Sequence, residues 1–340
     1  MQIRPDGWLA RAIDRVMPDF DRRSLMLALG IGAVGVASIG SSLAAESYDD
    51  PRDIYAALRQ QPAVPIRMGG RTINVVFADG SPGVDRVRTL AWIRHGAMAV
   101  EHYFGQLPVT DYGLLVIAED SDTVGHATTF GYAGSVTRIR VGTQATDAAF
   151  ARDWVLVHEM MHTALPDLPR RALWLQEGNA TWVEPVARVI AGQLPVSEVW
   201  RQAIAGMPTG EPRPGDGGMD GTREHGRLYW GGATFWLLAE IAIIEQSRGK
   251  HVLRDAMRAI NRASGGNTAD WAPERVMAVG DQATGTNALA GLYAAFSTSP
   301  VRTDLADLFA RLGVAAGPGR TVVFDDTAPL SAVRRRITAA

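Results

Sequence analysis

The sequence predicts an α+β fold: a small mixed sheet with helices packed on it, followed by a mostly helical part. Three observations predict it. Strand-patterned runs cluster between residues 63 and 142, helical periodicity takes over from residue 146, and a Pro/Gly/Asp stretch at 207–221 (MPTGEPRPGDGGMDG) breaks the helical half. With 46% hydrophobic and 21% charged residues in a chain of 340, there is enough apolar material for a sizeable core. The length suits about two domains of roughly 150 residues each. A net charge of −2 gives no long-range pull toward nucleic acid, so no nucleic-acid partner is expected. The absence of cysteine excludes disulfides, thiolate metal sites and thiol nucleophiles. Lys250 is the single lysine, which leaves Schiff-base and P-loop chemistry almost nowhere to reside.

From Leu25 to Ala45 no charge appears (LMLALGIGAVGVASIGSSLAA), directly after Arg22-Arg23-Ser24. Its apolar part is short for a bilayer span, which needs about 20 predominantly apolar residues. Ser42-Leu43-Ala44 fits a signal-peptidase site, and the arginine pair fits a twin-arginine export signal. Two readings stand, a cleaved export signal or an uncleaved anchor; both place the folded part outside the cytoplasm, periplasmic or secreted. Membrane contact is expected only through this segment. The dinucleotide-like fingerprint Gly30–Gly35 lies inside this stretch rather than between a strand and a helix, so it predicts no nucleotide site.

Downstream, residues 46–62 read as a short helix, and 63–78 give strand signals, with Ile73, Val75 and Val76 preceding the turn Asp79-Gly80. Helical spacing follows over 84–105, then a buried strand at Gly113–Ile117. Ser135–Val141 alternates with period two, which predicts a half-exposed strand. A terminal strand is expected at Thr321–Phe324, and the run Arg334-Arg335-Arg336 reads as a solvated tail.

Residues 147–165 (DAAFARDWVLVHEMMHTAL) predict one helix, capped by Thr146 and closed before Pro166, with Phe150, Trp154, Val157 and Met161 as its core stripe. It carries His158-Glu159-Met160-Met161-His162. Residues four apart on a helix share a face about 6 Å apart along the axis. Two imidazoles so placed suit one zinc ion, and the glutamate between them suits a general base acting on water. A catalytic zinc takes three protein ligands and keeps one open position. The blander reading of the pair is structural histidines on a buried helix.

Glu177 stands fifteen residues beyond His162, in Leu173-Trp174-Leu175-Gln176-Glu177-Gly178-Asn179-Ala180. Here the sequence resembles the gluzincin metallopeptidases, the thermolysin-like superfamily, and most closely their aminopeptidase-N-like and glycyl-aminopeptidase-like branches. Their pattern W-L-x-E-G-x-A implies Glu177 as third zinc ligand with His158 and His162. Tyr229-Trp230-Gly231-Gly232 is similar to the family's Y-x-K-G, which implies Tyr229 as donor to the developing oxyanion; Gly231 replaces the family's lysine. A second departure lies upstream. Those aminopeptidases carry a glutamate in G-x-M-E-N that holds the substrate's free amine, whereas Gly125–Gly134 (GHATTFGYAG) contains no acid. Endopeptidase and exopeptidase action therefore both stay open.

The resemblance implies a thermolysin-like two-lobed architecture. An α+β lobe over 46–206 would carry the zinc-binding helices, a Pro/Gly loop would span 207–227, and a helical lobe 228–340. It also implies a zinc-dependent peptidase with one zinc ion, Glu159 as base and a peptide or protein substrate. The competing reading is a non-catalytic or chaperone-like envelope protein with a structural zinc site. Glu184 has two readings, a hydrogen-bond partner of a ligand histidine or a solvated carboxylate, and Thr181 is a candidate hydroxyl beside Glu177. His126 and His225 flank the site in sequence, either as substrate contacts or as surface residues. His95, His102 and His251 read as ordinary helix-face residues.

Overall fold

β-Branched residues and a glycine pair build the first hairpin. The computed structural model describes residues 48–340, and in it β1 (Ala63–Met68) pairs antiparallel with β2 (Arg71–Phe77). Gly69 and Gly70 turn the chain between them at φ 52° and 81°, a region glycine enters at little cost. The strand signals of 63–78 thus resolve into two strands. Tertiary contacts separate the chain up to Ala56 from Ala57–Ala340, and the latter unit is described by itself. The expected short helix is α1 (Pro51–Gln60). The stretch 25–45, with Gly30–Gly35 and Ser42–Ala44, lies outside the described residues. Among the described residues no helix is long and apolar enough to cross a membrane.

α2 (Arg86–Phe104) carries the chain from β2 to β3 (Asp111–Glu119), which lies parallel to β2. The Asp85 carboxylate caps α2 by accepting from the Arg88 amide at 3.0 Å. β4 (Val124–Phe130) and β5 (Ser135–Gly142) complete a mixed sheet of order β1-β2-β3-β5-β4. β5 slips between β3 and β4, so both its edges are paired, and along both its faces every residue but Arg140 is buried. This corrects the half-exposed strand that its alternation predicts. β4 is left as an edge, and Ile73, Val75, Leu114 and Ile139 are fully buried in the sheet's core.

The helix expected over 147–165 is two, α3 (Asp147–Arg152) and α4 (Val155–His162). Thr146 caps α3, accepting from Ala149. Asp153 leaves the helix at ψ 135°, and its carboxylate accepts from the amides of Val155 (3.0 Å) and Leu156 (3.2 Å). A side chain that satisfies the first free amides makes α4 a separate, capped helix. The break turns Trp154 out of the predicted core stripe; it is 41% exposed, while Phe150, Val157 and Met161 are buried.

Helices dominate the remainder: α5 (Leu173–Ile190), α6 (Val196–Gly206), α7 (Gly232–Gln246), α8 (Leu253–Ser264), α9 (Pro273–Thr284), α10 (Ala288–Thr298) and α11 (Leu305–Leu312). A short π-helical turn, Arg227–Gly231, leads into α7. α7 is apolar nearly all round, with Phe235, Trp236, Leu237 and Ile243 fully buried, as suits a helix enclosed on every side. The expected terminal strand is β7 (Val322–Phe324), paired with β6 (Val314–Ala316) in a separate two-stranded sheet. α12 (Ser331–Ile337) follows, and it corrects the solvated-tail reading at one position: Arg335 and Arg336 are exposed as expected, but Arg334 is 3% exposed and donates to the Leu312 and Gly313 carbonyls at 3.0 Å and 2.5 Å.

α5 and α7 cross where two glycines meet. A Cβ on Gly178 would lie 2.3 Å from the Gly232 backbone, and one on Gly232 would lie 2.2 Å from the Trp174 carbonyl oxygen. Both partners are backbone and cannot rotate aside. Gly178→Ala is therefore expected to destabilise the protein despite alanine's helix propensity, by about 1–3 kcal/mol as overpacking usually costs. A urea midpoint at or above wild type would contradict the close crossing.

Candidate metal centre

His158 and His162 stand one turn apart on α4, which packs against β4 and β5. α5 runs alongside and presents Glu177 to both rings. Its Oε2 lies 3.3 Å from His158 Nε2 and 3.5 Å from His162 Nε2. Two ligands each bonded at ~2.0–2.1 Å to a tetrahedral ion stand ~3.3–3.4 Å apart, so these spacings are those of adjacent zinc ligands. The donor set, two imidazoles and a carboxylate without thiolate, is one that zinc accepts at catalytic sites. Ligand-capable atoms of His158, Glu159 and His162 also lie within 4.8 Å of one another. The residues present thus fit the ion.

The electrostatics of the cluster are coupled. Burial would raise the Glu177 carboxyl, but the neighbouring charge of His162 and hydrogen bonds from both histidines hold it well below the usual carboxylate range. Burial pulls His162 down, and the Glu177 charge and hydrogen bond override it, raising the imidazole to about 9. A cluster this charged and this buried is a ready site for a cation.

Tyr229 reaches the same point from the π-helical turn, a feature frequent at functional sites. Its phenol lies near the Glu177 carboxylate, and its ring lies nearly parallel to His158, centroids 5.8 Å apart and 11° between planes. Burial, with the charges of Glu177 and Glu159, pushes the phenol well above its ordinary value, so it stays a neutral donor. The Gly178–Gly232 crossing makes this approach possible, because Tyr229 lies just before Gly232 and Glu177 just before Gly178. His225 stands against Tyr229 at 4.3 Å between centroids. Its Nδ1 is buried without a hydrogen-bond partner, and burial lowers its pKa. The structure therefore brings His158, Glu159, His162, Glu177, Tyr229 and His225 together. His126 points elsewhere in character: it is exposed on the edge strand β4.

Three smaller expectations are corrected. Glu184 is neither solvated nor bonded to a histidine; it is 3% exposed and pairs with Arg188 at 2.8 Å. Seven residues along α5 carry it past the metal cluster to the N-terminal end of α4, where Arg188 also donates to the Asp153 carbonyl. Thr181 donates to the Glu177 backbone carbonyl at 2.8 Å rather than to its carboxylate. His251 lies before α8 and faces Asp255 at 3.4 Å instead of riding a helix face. Sequence reasoning missed Thr129, whose Oγ1 donates to Glu159 Oε2 at 2.8 Å. Only the period-two placement of Ala127 and Thr129 on one face of β4 hinted at it. The helix break at Asp153 was also missed; its signal was an aspartate two residues ahead of two successive amides.

The Glu184 neighbourhood predicts a pH effect. Burial, against the opposing charge of Arg188, raises Glu184 to about 7, and burial raises Asp153 to about 6. Both lie above their unfolded values of about 4, so between those limits the folded protein holds protons that the unfolded chain has released. Their contribution to stability is complete below about pH 4 and is lost as pH rises through 6 to 7. Glu184→Gln is expected to flatten the fall in unfolding free energy between pH 5 and pH 8, by on the order of 2 kcal/mol, read from urea midpoints. A variant whose midpoint falls as steeply as wild type would remove Glu184 from this account.

The fold is similar to that of the gluzincin metallopeptidases, the class to which the sequence motifs pointed. Among solved structures it matches an aminopeptidase N family protein from Idiomarina loihiensis with a TM-score of 0.55 and 15% identity, over 74% of this chain and 49% of that one. It also matches an M1 zinc metallopeptidase from Deinococcus radiodurans with a TM-score of 0.46 and 16% identity, over 72% of this chain and 53% of that one. The chain spans about half the length of these structures. No protein-family model and no curated protein matches it.

Proposed function

We propose that the protein is a zinc-dependent peptidase of the gluzincin type, exported from the cytoplasm and acting on peptides or proteins. The observation that carries the reading is the spacing of Glu177 Oε2 from the two imidazole Nε2 atoms, 3.3 Å and 3.5 Å, beside the buried carboxylate of Glu159. His158, His162 and Glu177 would hold one zinc ion. When bound there, zinc supplies Lewis acidity and brings the pKa of water from 15.7 to about 7.

The chain's own residues do the rest. Glu159 takes a proton from the attacking water as that oxygen bonds to the peptide carbonyl carbon. It then delivers the proton to the leaving nitrogen as the C–N bond breaks, giving a carboxylic acid and an amine. Tyr229 donates to the carbonyl oxygen as negative charge develops on it. Tyr229→Phe is expected to lower kcat about 10²–10³-fold, the usual loss of one oxyanion donor, with zinc content unchanged; measured steady-state kinetics at wild-type level would take the tyrosine out of the mechanism. The α+β part up to residue 206 and the helical part from residue 228 both contribute, since Tyr229 alone of these residues follows the 207–227 loop.

Digestion of a peptide library by the zinc-loaded protein, read by mass spectrometry, tests the reading. It reports activity and end preference together. A library left intact by protein that contains zinc would overturn it.

A further inference from the structure

The base in this site is held from behind by the sheet. Glu159 sits on α4, and its Oε2 accepts from Thr129 Oγ1 at 2.8 Å. Thr129 in turn lies 2.6 Å from Thr137 Oγ1, its direct cross-strand partner between β4 and β5. Tyr112 on β3 donates to Thr137 Oγ1 at 2.5 Å. Thr137 is fully buried and Tyr112 nearly so. Four side chains from three strands and a helix therefore form one continuous line that ends on the carboxylate.

Counting protons gives this line a direction. An ionised carboxylate only accepts, and each hydroxyl has one proton to give. Thr129 spends its proton on Glu159, so it must accept from Thr137; Thr137 must then accept from Tyr112, whose phenol supplies the last donor. Three protons make three hydrogen bonds, with none left over. Thr129 Oγ1 also lies 3.0 Å from the Glu159 backbone carbonyl, a second acceptor for the same single proton on the same residue; with either acceptor Thr129 donates to Glu159, so the direction of the line is the same. Hydrogen bonds to an ionised group are short and about twice as strong as neutral ones, and behind the half-buried Thr129 the buried Thr137 and Tyr112 have no water to turn to.

We propose that Thr129 is a positioning residue for Glu159, fed by the one-way hydroxyl line Tyr112–Thr137–Thr129. It occupies Oε2 and so leaves Oε1 as the atom that takes and returns the proton. This rests on the peptidase reading above. The line fixes which oxygen works and where it stands, and it does so from residues outside the metal cluster. A base displaced by about 1 Å can lose about 10²-fold in rate, so a device that keeps one oxygen occupied has a measurable purpose.

Thr129→Val keeps the branched shape and removes the hydroxyl. It is expected to lower kcat about 10–100-fold with KM nearly constant and zinc content equal to wild type. Thr129→Ser, which restores the oxygen, is expected to recover kcat to within about threefold. Tyr112→Phe removes the last donor in the line and is expected to give a smaller loss, about 3–10-fold, and it carries the kinetic test if the valine variant does not fold. A second readout needs no turnover: crystal structures of the zinc-loaded wild type and Thr129→Val, in which the Glu159 carboxylate is expected to leave its wild-type position only in the variant. An unmoved carboxylate, or wild-type kcat in both Thr129→Val and Tyr112→Phe, would overturn the proposal while leaving the peptidase reading intact. If wild type itself cleaves nothing, the peptidase reading falls, and the carboxylate's position alone decides whether Thr129 holds Glu159.

Discussion

Glu159→Gln is expected to keep the metal and lose hydrolysis. Glutamine matches glutamate in shape and can still accept from Thr129, 2.8 Å away, so the local packing has no reason to change. It cannot take a proton at the working pH, and a general base is worth about 10²–10⁴-fold in rate. Because Glu159 is not among the three proposed ligands, zinc per chain measured by atomic emission should equal wild type. Peptide cleavage followed by mass spectrometry should fall by at least about 10²-fold. The two measurements together separate the peptidase from a structural zinc protein. Cleavage equal in the two proteins would remove Glu159 from the reaction, and zinc-loaded protein inert in both forms would favour a structural site.

Glu177→Ala is the second large effect, and it falls on the metal. Glu177 Oε2 stands close to both histidines, so its loss removes one donor and the carboxylate that bridges the pair. Outer partners of ligands are typically worth 10–100-fold in metal affinity; a direct ligand should cost more than about 100-fold. The variant also loses the charge and hydrogen bond that do most to raise His162, leaving burial, which lowers the imidazole, opposed only by the charge of Glu159. Competition with a chelating dye reads the affinity, and circular dichroism confirms the fold. Unchanged zinc affinity in a folded variant would exclude Glu177 as a ligand.

Much of the candidate site was readable along the chain because its parts are local. His158 and His162 share a face simply because a helix repeats every 3.6 residues, and Glu159 falls beside them for the same reason. Glu177 and Tyr229 were reached through motif resemblance, and the structure brings both to the same cluster. What failed to show in the sequence depends on neighbours. The alternation of Ser135–Val141 is the same whether one face of a strand is covered or both; only the packing of the folded chain over the sheet buries both faces. Trp154 keeps its helical spacing in sequence, yet the Asp153 cap breaks the helix and turns it outward. Glu184 has the spacing of a residue near the metal, but the direction of α5 carries it to Arg188.

The sequence by itself determined the chemistry available: no thiol, one lysine, and two histidines and a glutamate on one helix. It also set the α+β order, since strand and helix periods are local properties of the chain. Only the tertiary structure decided which distant groups meet. The Gly178–Gly232 crossing sets Tyr229 beside Glu177, and the pairing of Thr129 with Thr137 lines hydroxyls up behind Glu159. Neither follows from spacing, because helix crossings and strand partners are chosen by packing and backbone pairing between segments far apart in the chain.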